Sequence, residues 1–172
     1  MSPAFTAAAE AGVEIETWQD PAVHLPPGLD ARGCIEAALV AARREARSLG
    51  LRWVDTAEGT DLNNRYRAKL GPTNVLAFPA PRLPGLPGDS EADYLGDIVV
   101  CVPVMEAEAA AQGKTVQAHA AHLLVHACLH LVGYEHESAA EAEGMERIET
   151  EVMAVLGYED PYRPKHDGAA NA

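Results

Sequence analysis

The sequence predicts one α/β domain (in the broader sense α+β), a mixed sheet of about four strands with helices packed on it. Three observations lead there. Stretches with strand periodicity alternate with stretches of helical periodicity along the chain. No repeat or low-complexity linker divides the 172 residues, a length that suits a single core. A composition of 48% hydrophobic and 23% charged residues is that of a globular chain, not a disordered one. The domain is expected over residues 1–160, with 161–172 as a polar, flexible tail. Strand order is not encoded in these patterns.

Residues 13–18, Val-Glu-Ile-Glu-Thr-Trp, alternate apolar and polar as a half-buried strand does. After Pro26 and Pro27, residues 29–49 read as a helix ending at Gly50. Ile35, Leu39, Ala42 and Ala46 form its apolar stripe, and Arg43, Arg44 and Arg47 complement the dipole at its C-terminal end. Residues 51–56 suggest a second strand. A short helix is expected over 61–69 with Asp61 as N-cap, stopped by Gly71-Pro72. Residues 73–78 read as a third strand. Residues 79–88, with four prolines and two glycines, read as a loop. Residues 97–104 are apolar and β-branched, a buried strand. Two helices follow, over 105–132 and 138–156, and the chain from Glu159 onward is polar.

No apolar run approaches the roughly 20 residues of a membrane helix, and no secretory signal is visible. Cys34, Cys101 and Cys128 are odd in number and widely spaced, so a cytoplasmic protein with reduced thiols is expected. The net charge of −13 argues against long-range attraction of a polyanion. It is unevenly spread, however: from Arg32 to Arg82 there are nine basic and five acidic side chains. A segment of that kind can contact phosphates locally.

Five of the seven histidines lie between positions 119 and 136. At about 100° per residue, His119, His122, His126 and His130 share one helix face. His126 and His130, at i and i+4, aim two imidazoles at one point, as helices do when they supply two zinc ligands. Gly133 allows a left-handed turn that brings His136 back as a third nitrogen donor. Three protein ligands leave one position open, the arrangement of a catalytic rather than a structural ion. The spacing HxxxHxxGxxH matches the metzincin ligand pattern, making this a zincin-like helix, but the general-base Glu is replaced by Ala127. Ordinary peptidase chemistry therefore lacks its base. His122, one turn before His126, either orients the site or contacts substrate, or simply packs behind the ligands. Cys128 faces away from the histidines and reads as core, and His24 and His166 have no partners in sequence.

Three ordered motifs then resemble the YbeY-type endoribonucleases, the ribosomal RNA maturation factors. They are residues 62–79 (LNNRYRAKLGPTNVLAFP), Leu95-Gly-Asp97-Ile-Val, and residues 122–136 followed by an acidic helix and Leu156-Gly-Tyr-Glu-Asp-Pro-Tyr162. The resemblance implies a metalloprotease-like α/β domain with one zinc-class ion on His126, His130 and His136. It implies cleavage of single-stranded RNA, 16S ribosomal RNA 3′-end maturation and ribosome quality control in a bacterial cytoplasm. Its functional arginine maps to Arg67. The chain departs from the family at Ala127, where Gly is usual, and at Glu135, where Asp is usual.

On this reading the small ribosomal subunit or its proteins are partners, and no membrane is involved. Arg67 is expected to hold the scissile phosphate, its planar fork suiting phosphate oxygens. Arg65 and Lys69 read first as solvated helix residues and the Arg43, Arg44, Arg47 group as complementing a helix end; the alternative is that they track the flanking backbone. Asn74 is a turn or capping candidate and Asp97 an acceptor for a backbone or histidine N–H. No proton-transfer group is identified, although Glu135 adjoins a ligand. Two rival readings are a non-catalytic, metal-stabilised ribosome-assembly factor and a metal-dependent peptidase or amidase. Oligomeric state is not encoded.

Overall fold

The apolar run 98–102 builds the sheet, because successive side chains in a strand point to opposite faces. A computed structural model describes residues 12–45, 48–66, 73–80 and 94–163. It holds the strands β1 (Glu14–Gln19), β2 (Ser48–Val54), β3 (Val75–Pro79) and β4 (Tyr94–Cys101). The helices are α1 (Ala31–Ala41), α2 (Thr56–Tyr66), α3 (Val102–Gln112), α4 (Val116–Leu131) and α5 (Ala139–Val155). Ile98 and Val100 enter a large core with Leu49, Leu51 and Trp53 of β2 and with α1, α4 and α5. Val99 and Cys101 face the other way and join Val54, Leu76 and Leu62 of α2 in a smaller one. A strand buried on both faces needs a continuous apolar run, and β4 has one.

The sheet is mixed, in the order β1-β2-β4-β3. β1 runs parallel to β2 and β2 parallel to β4, while β3 lies antiparallel to β4, with Ala77 opposite Ile98. β3 is thus an edge strand, and α4 packs beside it. The expected single domain with a four-stranded mixed sheet and a histidine-bearing helix is what forms.

Element ends differ from the sequence reading for identifiable reasons. α1 stops at Ala41, not 49: Arg43 takes φ 53, and Arg44 N–H bonds Leu39 O at 3.0 Å. This is a left-handed helix terminus built without glycine. Gly50 is consequently inside β2, opposite Asp97. α2 begins five residues earlier than expected, because Asp55 rather than Asp61 caps it, accepting from Glu58 N–H at 3.0 Å. The long helix expected over 105–132 is two helices, broken at Gly113, with Thr115 capping the second. β4 ends at Cys101 because Pro103 sits in the first turn of α3. α5 starts as expected, with Ser138 and Glu141 forming a reciprocal capping box.

Candidate metal centre

α4 is buried along most of its length, and its aliphatic residues Leu123, Leu124, Val125 and Leu129 lie in the core. His122, His126 and His130 fall on a stripe that stays half-buried. At the end of the helix Gly133 takes φ 106, and Tyr134 N–H bonds back to Leu129 O at 3.0 Å. That reversal returns the chain toward the helix. It sets the His136 ring 4.8 Å from that of His130 and 5.6 Å from that of His126, centroid to centroid. One nitrogen from each of the three lies within 4.8 Å of the others, so the triad could hold a metal ion.

The hydrogen bonds on the far side of each ring decide which nitrogen faces the centre. His126 Nδ1 lies 2.8 Å from Glu149 Oε2, and His130 Nδ1 lies 2.8 Å from the Tyr134 carbonyl oxygen. Both partners are acceptors, so each Nδ1 carries the proton and donates it. Each Nε2 is left with a lone pair, and the two Nε2 atoms are 3.1 Å apart. Unprotonated nitrogens that close repel, unless a cation sits between them. Ligands at about 2.05 Å in a tetrahedral site would be about 3.3 Å apart, close to what is found. Burial, and next the neighbouring His126, push the pKa of His130 down, which keeps its ring neutral and able to donate its lone pair to an ion.

Glu149 is fully buried in α5. Its Oε2 accepts from His126, and its Oε1 accepts from His122 Nε2 at 2.5 Å and from the Tyr162 hydroxyl. Burial alone would raise its pKa, but the hydrogen bonds from His122, His126 and Tyr162 outweigh it and bring the carboxyl down to about 2. The sequence reading missed both Glu149 and Tyr162. A signal existed: the buried stripe of α5 is Met145, Glu149, Val152 and Met153, with one carboxylate among apolar positions. A charge there requires partners.

The other candidates fall in separate places. His119 lies deeper along α4, its Nε2 2.9 Å from Glu108 Oε1, an oxygen that also accepts from Asn74 Nδ2 at 3.0 Å. Asn74 Oδ1 turns back to cap Val75 N–H. Asp97 accepts from the Tyr94 hydroxyl on the opposite face of the sheet, away from the histidines. Glu135 approaches His130 only on its Nδ1 side, at 3.9 Å, and is exposed. Arg65 is exposed and pairs with Asp61. Ala127 and Cys128 are core residues, and His24 is exposed. Arg67, Lys69, Arg47 and His166 lie outside the described residues. His122 and Tyr162 also line a cavity of about 950 Å³ beside Lys114 and Arg163, which the three converging histidines do not line.

Residues 30–157 match the family model described as Endoribonuclease YbeY. A protein named Endoribonuclease YbeY from Xanthomonas axonopodis pv. citri is 49% identical over 146 residues, covering 85% of this chain and 90% of that one. The protein of that name from Stenotrophomonas maltophilia is 49% identical over 142 residues, covering 83% and 88%. The solution structure of a Thermotoga maritima protein aligns with a TM-score of 0.50 at 22% identity, over 87% of this chain and 99% of that one, a likeness of fold. With a family match across most of its length and relatives at this identity, the chain belongs to the endoribonuclease YbeY family.

Proposed function

We propose that the protein is a metal-dependent endoribonuclease that cuts single-stranded RNA, acting on the 3′ end of 16S ribosomal RNA and in ribosome quality control in a bacterial cytoplasm. The observation that carries this reading is the pair of Nε2 lone pairs on His126 and His130, 3.1 Å apart, with His136 turned toward them. His126, His130 and His136 hold one ion, zinc by donor type and number. Bound there, zinc supplies Lewis acidity toward a phosphoryl oxygen or a water.

The chain's own residues do the rest. Glu149 and the Tyr134 carbonyl hold the two imidazoles in the tautomer that donates from Nε2. Arg67 grips the scissile phosphate with two parallel N–H groups and steadies charge as it develops. The small ribosomal subunit brings the RNA to a chain whose overall charge of −13 would otherwise keep a polyanion at a distance. Ala127, which is buried and has no proton acceptor, weighs against a peptidase.

The test is cleavage of a ribosomal RNA 3′-end fragment by purified protein of known metal content, alongside His130→Ala and Arg67→Ala. Wild-type cleavage lost in both variants, with metal retained by Arg67→Ala, is the expected result. Loss of metal from Arg67→Ala would make that arginine structural. A metal-loaded wild type that never cuts, even on the small subunit, would favour an assembly factor.

A further inference from the structure

A wholly buried carboxylate needs donors on both oxygens, and Glu149 draws them from one helix and one turn. His126 and His122 come from α4, and Tyr162 comes from the turn that follows α5. Among the described residues the distribution is unequal: Oε2 takes His126 alone, while Oε1 takes both others. His122 is thereby committed. Its Nε2 is on Glu149, its ring centroid is 6.2 Å from that of His126, and it stands outside the converging triad.

Tyr162 is held just as firmly. Its ring meets the His122 ring edge-on with centroids 5.2 Å apart, and its N–H donates to Asp160 Oδ1 at 2.8 Å. Lys114 Nζ fixes the preceding residue by donating to Pro161 O at 2.9 Å. Two donors clamping Oε1 from fixed positions leave the carboxylate one orientation. In that orientation Oε2 faces His126 Nδ1.

We propose that Tyr162 and His122 are positioning residues of the metal centre, acting on His126 through Glu149. They lock the carboxylate, the carboxylate locks the Nδ1–H tautomer and ring angle of His126, and its Nε2 is thereby aimed at the ion. The Pro161-Tyr162 turn, at the polar C-terminal end, is then part of the site. This inference rests on the reading of the three histidines as metal ligands. A carboxylate behind a ligating histidine raises the basicity of the ring, and losing such a partner weakens metal binding about 10–100-fold.

The experiment measures zinc affinity by competition with a chromophoric chelator. Wild type is compared with Tyr162→Phe, Glu149→Gln and Thr150→Val, whose hydroxyl bonds Asp160 in the same turn without touching Glu149. Melting of the zinc-free proteins and the 15N shifts of His126 are recorded in parallel. The expected result is a dissociation constant raised about 10-fold or more in Tyr162→Phe and in Glu149→Gln, and unchanged in Thr150→Val. His126 Nδ1 should lose its fixed proton in Glu149→Gln. Glutamine can accept at one end only, so it cannot satisfy donors on both sides.

If both variants bind zinc like wild type and merely melt earlier, the network is a structural crosslink and the proposal fails with the metal site intact. If wild type binds no zinc, the metal reading itself fails and takes this inference with it. Tyr162 is 42% exposed, so its substitution should leave a folded protein to measure even if Glu149→Gln does not fold.

Discussion

His119 Nε2 lies 2.9 Å from Glu108 Oε1, and the histidine is only 4% exposed. Because Asn74 bonds the same oxygen, this contact ties the first turn of α4 to α3 and to the entry of β3. The groups that face His119 are Glu108, Lys114 and His122. Burial lowers its pKa, and the pull of Glu108 only partly offsets that. Its folded pKa is therefore below its unfolded one, so the unfolded chain takes up the proton first as pH falls. Stability is lost from the unfolded pKa, about 6.5, down through the folded value. Wild type should lose stability relative to His119→Gln as pH drops from about 7 to 5, because the amide does not titrate. Urea unfolding at several pH values gives the difference; a flat difference would show that His119 does not titrate in this way.

Metal removal gives a second prediction. A ligand that binds only the folded state stabilises it by RT ln(1 + [L]/Kd), about 2.7 kcal/mol at 100 times Kd. Zinc should raise the melting temperature of wild type and a strong chelator should reverse the rise. His130→Ala, lacking one of two nitrogens now 3.1 Å apart, should respond to neither. Calorimetry with and without zinc reads both, and an equal rise in the variant would take His130 out of the site.

Gly96 sets a third. In β4 it adopts φ 136, and a Cβ there would stand 2.3 Å from Phe78 O and 2.9 Å from Ala80 N. Those are backbone atoms of the antiparallel neighbour and cannot swing aside. Gly96→Ala should cost about 2 kcal/mol or more, through strain and the displacement of β3. Denaturant titration measures the loss; a change under about 0.5 kcal/mol, the range of ordinary surface substitutions, would mean that β3 moves freely.

Much of this architecture can be read from residue patterns, and what cannot has a physical reason. The histidine triad was legible because helical geometry fixes where i and i+4 point, and Gly133 marks the reversal that returns His136. β4 was legible from an apolar run buried on both faces. The end of α1 was not, because Arg43 adopts a left-handed conformation that residue type does not advertise. Nor was the order β1-β2-β4-β3, since pairing depends on which side chains meet in the core. Glu149 was overlooked because α5 is acidic along its length, and the one carboxylate pointing inward resembles its solvated neighbours in composition. Position 149 is distinguished only by helical phase, in register with Met145, Val152 and Met153.

The motif that resembles a protease supports a last prediction. Restoring its glutamate by Ala127→Glu would complete the letters HExxHxxGxxH. Ala127 is 1% exposed, however, and lies in the large core with Leu123, Leu124 and Leu129. A carboxylate introduced there is larger than the alanine it replaces and has no donor prepared for it, so it must either ionise without partners or take up a proton. Overpacking alone costs about 1–3 kcal/mol, and an unsatisfied polar group adds a similar amount. The variant should be destabilised by about 2–6 kcal/mol and gain no activity toward a generic peptide substrate. Denaturant unfolding and a fluorogenic peptide assay decide it. A stable variant that cleaves peptide would mean that position 127 opens onto the metal site, and the case against peptidase chemistry would collapse.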